Sequence, residues 1–252
     1  MAASPISRGI LFDMISTIFH TVVYDPLYNG LIFLVGIVPQ HDVGVAVIAL
    51  TIVVRIILFP LSRRAVETQM AMRKIAPDVE KLKEKHKDNR EEQAKAIFAL
   101  YRERGVHPFA SIGLLLAQLP VLFALYWIFA LGGLPEVDPA LLYSFVSVPA
   151  SVNMHFLGFV DMAGHTIILG VLAAGTQFFY TRLSMGPREK KPAAAKASFS
   201  AELSRSFDLQ ARYMLPATFI FLSFIIPNAA MLYLVTSNLF MIGQELWSGR
   251  RF

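Results

Sequence analysis

Long apolar blocks separated by short charged stretches dominate the chain, and the blocks set the predicted elements. From Val43 to Ser62 about 20 residues are almost wholly apolar, enough at about 1.5 Å per residue to cover roughly 30 Å of hydrocarbon. Four more blocks follow at Phe109 to Leu131, Thr166 to Leu183, Tyr213 to Pro227 and Ala229 to Trp247. The expected fold class is an all-α membrane protein with five transmembrane helices, TM1 at 43–62, TM2 at 109–131, TM3 at 166–183, TM4 at 213–227 and TM5 at 229–247. The spans at 166–183 and 213–227 are short, which calls for little tilt or a thin surrounding bilayer.

Residues 1–42 read differently. In ILFDMISTIFHTVVY, Asp13, Ser16, Thr17, His20 and Tyr24 fall on one helical stripe and Ile15, Ile18, Phe19 and Val22 on the other. That pattern predicts a helix lying in the membrane interface. PLYNGLIFLVGIVP is only 14 residues between its outer prolines and suits an interfacial or re-entrant piece better than a span. The missing basic cluster at the start and the interruption by Asp13 argue against a cleaved signal peptide.

Between the first two blocks, residues 63–105 are rich in helix formers with a turn at Asp88-Asn89. Val66, Met70, Ile75, Val79 and Leu82 give one half an apolar stripe, and Ala94, Ile97, Phe98 and Tyr101 give the other. The prediction is a cytoplasmic helical hairpin, bent or restarted at Pro77. The segment 184–212 combines Pro, Ala, Ser and Lys without a sustained apolar period and is expected to be a mobile cytoplasmic loop.

Composition agrees with the blocks: 55% of residues are hydrophobic and 16% charged, and the mean hydropathy of +0.54 is far from the soluble balance. Charge distribution adds an orientation. Twelve Lys/Arg lie in residues 63–105, seven in 182–212 and two after Trp247, while the connector 132–165 has none against three acids. By the positive-inside rule both basic loops and the tail 248–252 are cytoplasmic, and the N-terminus and connector are outside. The absence of cysteine excludes disulfides and thiolate metal sites. No phosphate-binding loop, zinc-protease pair or nucleophile elbow is present, so no catalytic residue, metal or cofactor is expected.

One residue inside the first block demands an account. Arg55 lies about 10 Å inside the end marked by Arg63, where an arginine costs on the order of 3 kcal/mol unless it meets water or snorkels. Snorkelling to the nearby interface is one account of it. The other is a shared polar interior, for which Gln118, Thr176, Gln177, Ser223, Asn228, Ser237, Asn238 and Gln244 supply polar groups from the other blocks. Taken singly, each is a helix-to-helix hydrogen bond. No carboxylate lies deep in a block to serve as counter-ion for Arg55.

Three stretches, TIVVRIILFPLSRR, LYRERGVHPFASIGLLLAQLPVLFALYWIF and YMLPATFIFLSFIIPNAAMLYLVTSNLFMIGQ, resemble in order and spacing the signature regions of the YidC/Oxa/Alb membrane protein insertases. The resemblance runs over roughly residues 26–247. It implies five core spans, a cytoplasmic hairpin after the first, and a hydrophilic groove open to cytoplasm and lipid. The family's groove arginine matches Arg55, its threonine one turn earlier matches Thr51, and its last-span tyrosine matches Tyr233. The chain departs from the usual pattern at His107-Pro108, where the family has asparagine, and at Leu234, where a second aromatic is frequent. With only 42 residues ahead of the first span, the expectation is the minimal core of a bacterial cell-membrane member.

The expected function is insertion of nascent transmembrane segments without nucleotide hydrolysis. Implied partners are nascent membrane proteins, the ribosome and signal-recognition or Sec-type machinery at the hairpin and tail, with anionic lipids and no DNA. The substrate groove would comprise Arg55, Thr51, Gln118, Thr176, Gln177, Ser223, Tyr233, Ser237 and Asn238. A small-solute transporter or ion channel using the same polar residues is the alternative, and a purely structural assembly chaperone is a third reading.

Overall fold

The computed structural model describes residues 13–14, 16–106, 110–186 and 209–249. The expected mobile loop lies largely outside the described residues, as do His107-Pro108 and the end of the tail. The protein is mostly helical. Two compact units form, one from Met1–Arg55 with Leu119–Phe252 and the other from Ile56–Gln118.

In the first unit, helix α1 runs unbroken over Ser16–Ile37. The sequence pattern predicts two pieces meeting at Pro26, since proline lacks an N–H and its ring crowds the carbonyl four residues back. The chain instead widens into a π-turn at His20–Tyr24, where the Asp25 N–H donates to the His20 carbonyl. A wider turn relieves that crowding and lets the helix continue. Among the described residues α1 is the one helix long and apolar enough by itself to cross a membrane.

Helix α2 covers Val43–Ile57 and α3 covers Phe59–Lys85, so the expected 43–62 span is broken at Leu58. Pro60 sits in the first turn of α3 and cannot donate the bond that would continue α2. Helix α4 spans Arg90–Glu103, α5 Ala110–Ala130, α6 Ile167–Met185, α7 Leu215–Leu222 after a π-turn at Gln210–Met214, and α8 Asn228–Trp247. Helix α6 packs on both α7 and α8. At Gly170 of α6 a Cβ would strike the side chain of Ser223, so the absence of a side chain there permits the close approach of α7.

The connector between α5 and α6 is irregular apart from a two-stranded antiparallel ladder, β1 at His155–Phe156 and β2 at Val160–Asp161. Three buried polar side chains bind it to the helices. Asn29 of α1 donates to the Leu141 carbonyl at 2.9 Å and accepts from the Tyr143 N–H at 2.6 Å. Asp42 caps α2 by accepting from the Gly44 and Val45 N–H groups, and its second oxygen accepts from the Leu157 N–H at 2.9 Å. Asn228, at the start of α8, donates to the Asp161 carbonyl at 2.7 Å and to the Thr166 hydroxyl at 3.1 Å. Each bond from these residues to the connector crosses a long stretch of sequence, so the connector is tied down by specific contacts rather than by its own core.

The second unit contains the hairpin of α3 and α4. Asn89 caps α4 by accepting from the Glu91 and Glu92 N–H groups, and Gln93 donates to the Lys83 carbonyl at 2.9 Å across the turn. Val66 and Ile75 are buried in α3, which runs through Pro77. Phe98 departs from its expected place on the α4 stripe: it is exposed, edge-on to Tyr101. The intermediate burial of Gln93, Ala96, Ile97 and Leu100 places the shielded face of α4 about one residue round from the expected one.

Asp42 accepts three N–H bonds while buried, so Asp42→Ala leaves those donors without their acceptor. The expected loss is about 2–3 kcal/mol, seen as an apparent unfolding midpoint lowered by several degrees in detergent. An unchanged midpoint would show that the connector is not held by this residue.

Candidate functional site

Helix α2 is amphipathic in the opposite sense to a soluble helix. Its covered face carries Val47, Leu50, Thr51, Val54 and Arg55, while Ile52 and Val53 face outward. Helix α6 repeats the arrangement, with Gln177, Thr181 and Ser184 buried and Ile168 66% exposed beside exposed Val171, Leu172 and Phe179. Water would select the reverse pattern; hydrocarbon selects this one.

Arg55 closes the inward face of α2 with only 6% of its surface exposed. Its Nε is buried with no hydrogen-bond partner among the described residues. Tyr233 of α8 and Tyr180 of α6 are the electrostatic neighbours of its guanidinium. Residues four apart share a helix face, so Thr51 lies under Arg55, Thr176 under Tyr180 and Ser237 above Tyr233. Thr51 donates to the Val47 carbonyl at 2.6 Å, which keeps its hydroxyl within α2. Asn238 donates to the Thr176 hydroxyl at 3.3 Å and joins α8 to α6. Gln177 donates to the Thr181 hydroxyl at 3.1 Å along α6. The Ser237 hydroxyl is buried with no hydrogen-bond partner among the described residues.

Arg55, Thr51, Tyr233, Thr176, Gln177, Ser237 and Asn238 therefore sit on three helices of one unit, with Tyr180 added to those read from sequence. An aromatic residue in an apolar block reads as core, and nothing in the local pattern separates Tyr180 from its neighbours Phe178 and Phe179. Ser223 is placed elsewhere: its hydroxyl donates to the Ile220 carbonyl at 2.7 Å, and the residue abuts Gly170, ten residues or about 15 Å along α6 from Tyr180. Gln118 is half-buried in α5 and belongs to the second unit. Glu245, near the end of α8, is a fully buried carboxylate that the sequence pattern does not single out. It stands twelve residues, about 18 Å along the helix, beyond Tyr233. Among the described ion pairs none includes Arg55.

Greasy outer faces around an interior that holds a guanidinium, amides and hydroxyls define the class, an α-helical membrane protein with a polar interior. The family model for the 60Kd inner membrane protein matches residues 34–252. The membrane protein insertase YidC of Clostridium tetani is 30% identical over 208 residues, covering 82% of each chain. The insertases YidC of Pelobacter propionicus and Nitratidesulfovibrio vulgaris are 31% and 29% identical over 91% and 98% of this chain, which spans 39% and 43% of their lengths. This chain belongs to the 60Kd inner membrane protein family, the YidC/Oxa group of bacterial inner-membrane proteins.

The bond between Asn238 and Thr176 is a direct polar tie between α8 and α6. A double-mutant cycle with Asn238→Ala and Thr176→Val should give a coupling of about 0.6 kcal/mol in unfolding measurements, the size usual for hydrogen bonds inside membrane bundles. Strictly additive effects would show that the two side chains do not act as a pair.

Proposed function

We propose that this chain is a membrane protein insertase in which Arg55 offers an unfilled hydrogen-bonding and electrostatic site to a passing peptide. The observation that carries this reading is the buried Arg55 Nε without a partner among the described residues. A guanidinium with open donor capacity in a low-dielectric interior attracts carboxylates and peptide carbonyls strongly. A structural salt bridge would have used that capacity. Snorkelling is disfavoured because the residue is enclosed by protein, with Tyr180 and Tyr233 beside it. The insertase names carried by the relatives point the same way.

In this proposal five spans place the N-terminus and connector outside and both basic loops inside. Helices α6 and α8 fall short of a span by composition because they carry the polar residues of the interior, which lowers their hydropathy. A nascent segment delivered at the hairpin, by the ribosome or targeting machinery, would lodge its polar end beside Arg55. That contact reduces the desolvation cost of carrying charge partway across. The apolar remainder then passes into lipid, and transfer at about 0.8 kcal/mol per buried CH₂ drives the step without nucleotide or catalytic residue.

A channel would need polar lining at both ends. On the connector side the amide of Asn29 and the carboxylate of Asp42 already bond to backbone, and Asn228 donates there too. This supports an interior closed on the connector side.

Two measurements test the proposal. In proteoliposomes containing the purified protein and a single-span substrate, Arg55→Lys should keep much of the insertion and Arg55→Ala should lose about tenfold or more at equal incorporation, a change of about 1.4 kcal/mol in the barrier. Full activity of the alanine variant would refute the electrostatic role. Separately, single cysteines replacing Thr176 and Ser237 should react with a membrane-impermeant thiol reagent from the cytoplasmic side only. Labelling from both sides would favour a channel, and silence from both sides would remove the aqueous groove.

A further inference from the structure

Beneath the connector the first unit holds a cavity of about 420 Å³ that plays no part in the arginine site. Tyr24 and Tyr28 form one wall, both buried, with rings 5.9 Å apart and within 6° of parallel. His20 and Trp127 form another, 6.5 Å apart and within 13° of parallel. Glu136 and Asp138 contribute the acidic part of the lining. His20, Tyr24 and Tyr28 recur every four residues on α1 and so share a face. The loop is held over that face, since the Asp138 N–H donates to the Tyr28 hydroxyl at 3.1 Å and Asn29 binds residues 141 and 143.

Aromatic faces carry negative potential and attract cations, most strongly where carboxylates stand close by. Among the described residues no lysine or arginine supplies that cation: residues 132–165 contain none, neither acid forms an ion pair with one, and His20 of the lining stands 3.8 Å from Asp25 instead. A metal ion fits poorly, because two of the walls are aromatic rings and no group of three metal-ligating side chains occurs among the described residues. The volume lies in the range of small-ligand pockets. An organic ammonium group matches both the rings and the carboxylates.

The lip of the cavity identifies the source. Leu131 and Leu141 also line it, and Leu131 is 69% exposed, so an apolar surface adjoins the cation-seeking box. A molecule with an ammonium at one end and hydrocarbon at the other satisfies both. We infer that this cavity binds the ammonium headgroup of a zwitterionic aminophospholipid, with Glu136 and Asp138 as counter-charges, Tyr24, Tyr28 and Trp127 as the aromatic box, and the acyl chains leaving over Leu131. The inference rests on the membrane setting and not on the insertase proposal.

The full chain contains two tryptophans, so Trp247→Phe, at an exposed position, leaves Trp127 as a reporter in the cavity wall. This variant, reconstituted in phosphatidylglycerol vesicles with increasing phosphatidylethanolamine, should show a saturable change in Trp127 emission. Adding Glu136→Gln and Asp138→Asn should weaken the apparent affinity about tenfold, because both counter-charges are lost while the aromatic rings remain. Both acids are exposed, and the carboxamide introduced by Asp138→Asn keeps an oxygen that can accept from the Ala140 N–H as the carboxylate does, so the unfolding midpoint should hold. A response that never saturates, or that is equal in the carboxamide variant with its midpoint intact, would overturn the site. Should ethanolamine in solution, added to pure phosphatidylglycerol vesicles, reproduce the full response, the ligand is a free amine and the lipid assignment falls. No response to ethanolamine alongside saturation by the lipid supports it. Insertion by Arg55→Ala is scored in a separate assay, so failure of either reading is visible without the other.

Discussion

A guanidinium buried among apolar helices is the constraint around which the first unit is organised. At about 3 kcal/mol or more for an arginine inside the hydrocarbon, Arg55 is tolerable only where neighbouring helices turn polar or aromatic hydroxyl groups toward it. Helices α6 and α8 bring Tyr180 and Tyr233 beside it, and Thr176 and Asn238 bond to each other between the same two helices. The same helices must face lipid with their other sides, and they do so through Ile168, Val171, Phe179 and Leu239. Polar inside and apolar outside is the natural solution in a solvent that cannot hydrogen-bond, where each unsatisfied group costs several kcal/mol. The buried Nε of Arg55 and the Ser237 hydroxyl depart from that rule among the described residues, whereas Thr51, Thr176, Gln177, Thr181 and Ser223 all find acceptors or donors.

The two ends of the unit use polar residues differently. Near the connector Asn29, Asp42 and Asn228 are bonded chiefly to backbone groups, several of them in residues 141–161, and these bonds hold an irregular segment that has little core of its own. Farther along the helices the polar groups face one another or remain open. Arg55 lies thirteen residues, about 20 Å along α2, from the Asp42 cap. The distance separates a layer where polar atoms tie down the connector from one where the Arg55 Nε and the Ser237 hydroxyl are buried without a partner among the described residues.

Much of this was legible in the chain because helical periodicity and apolar length are local properties. The blocks at 109–131, 166–183 and 229–247 coincide with α5, α6 and α8 to within about two residues, and Arg55 stood out by its surroundings alone. The readings that changed depended on backbone detail or on distant partners. Pro26 promised a break that a π-turn absorbs, whereas Pro60 sits where α2 yields to α3. The ties of Asn29 and Asp42 to the connector carried no visible signal because the groups they bond there lie more than one hundred residues away. Ser223 had the composition of a lining residue, yet the close approach at Gly170 puts it in helix packing. Tyr180 could not be separated from core aromatics without knowing which side of α6 meets Arg55. Phe98 followed the apolar period of α4 but lies outside its covered face, a difference of about 100° that a weak amphipathic pattern does not resolve.

Charge completes the asymmetry. All but two of the basic residues lie in the segments read as cytoplasmic, and the connector holds only acids. In the proposed orientation the basic segments and the acids Glu136 and Asp138 lie on opposite sides of the membrane, and among the described residues neither acid forms an ion pair with a lysine or arginine. Along the sequence Arg55 is the one basic residue set well inside an apolar block, since Arg182 stands at the basic end of its own block. In the proposed mechanism a substrate segment bearing an acidic or polar end would be attracted by the basic loops and by Arg55, and would be opposed by the acids of the connector. On that proposal, repulsion there and attraction behind would favour a segment that halts partway, leaving its apolar portion level with lipid. The electrostatic profile alone would favour lateral release into the bilayer over passage through it.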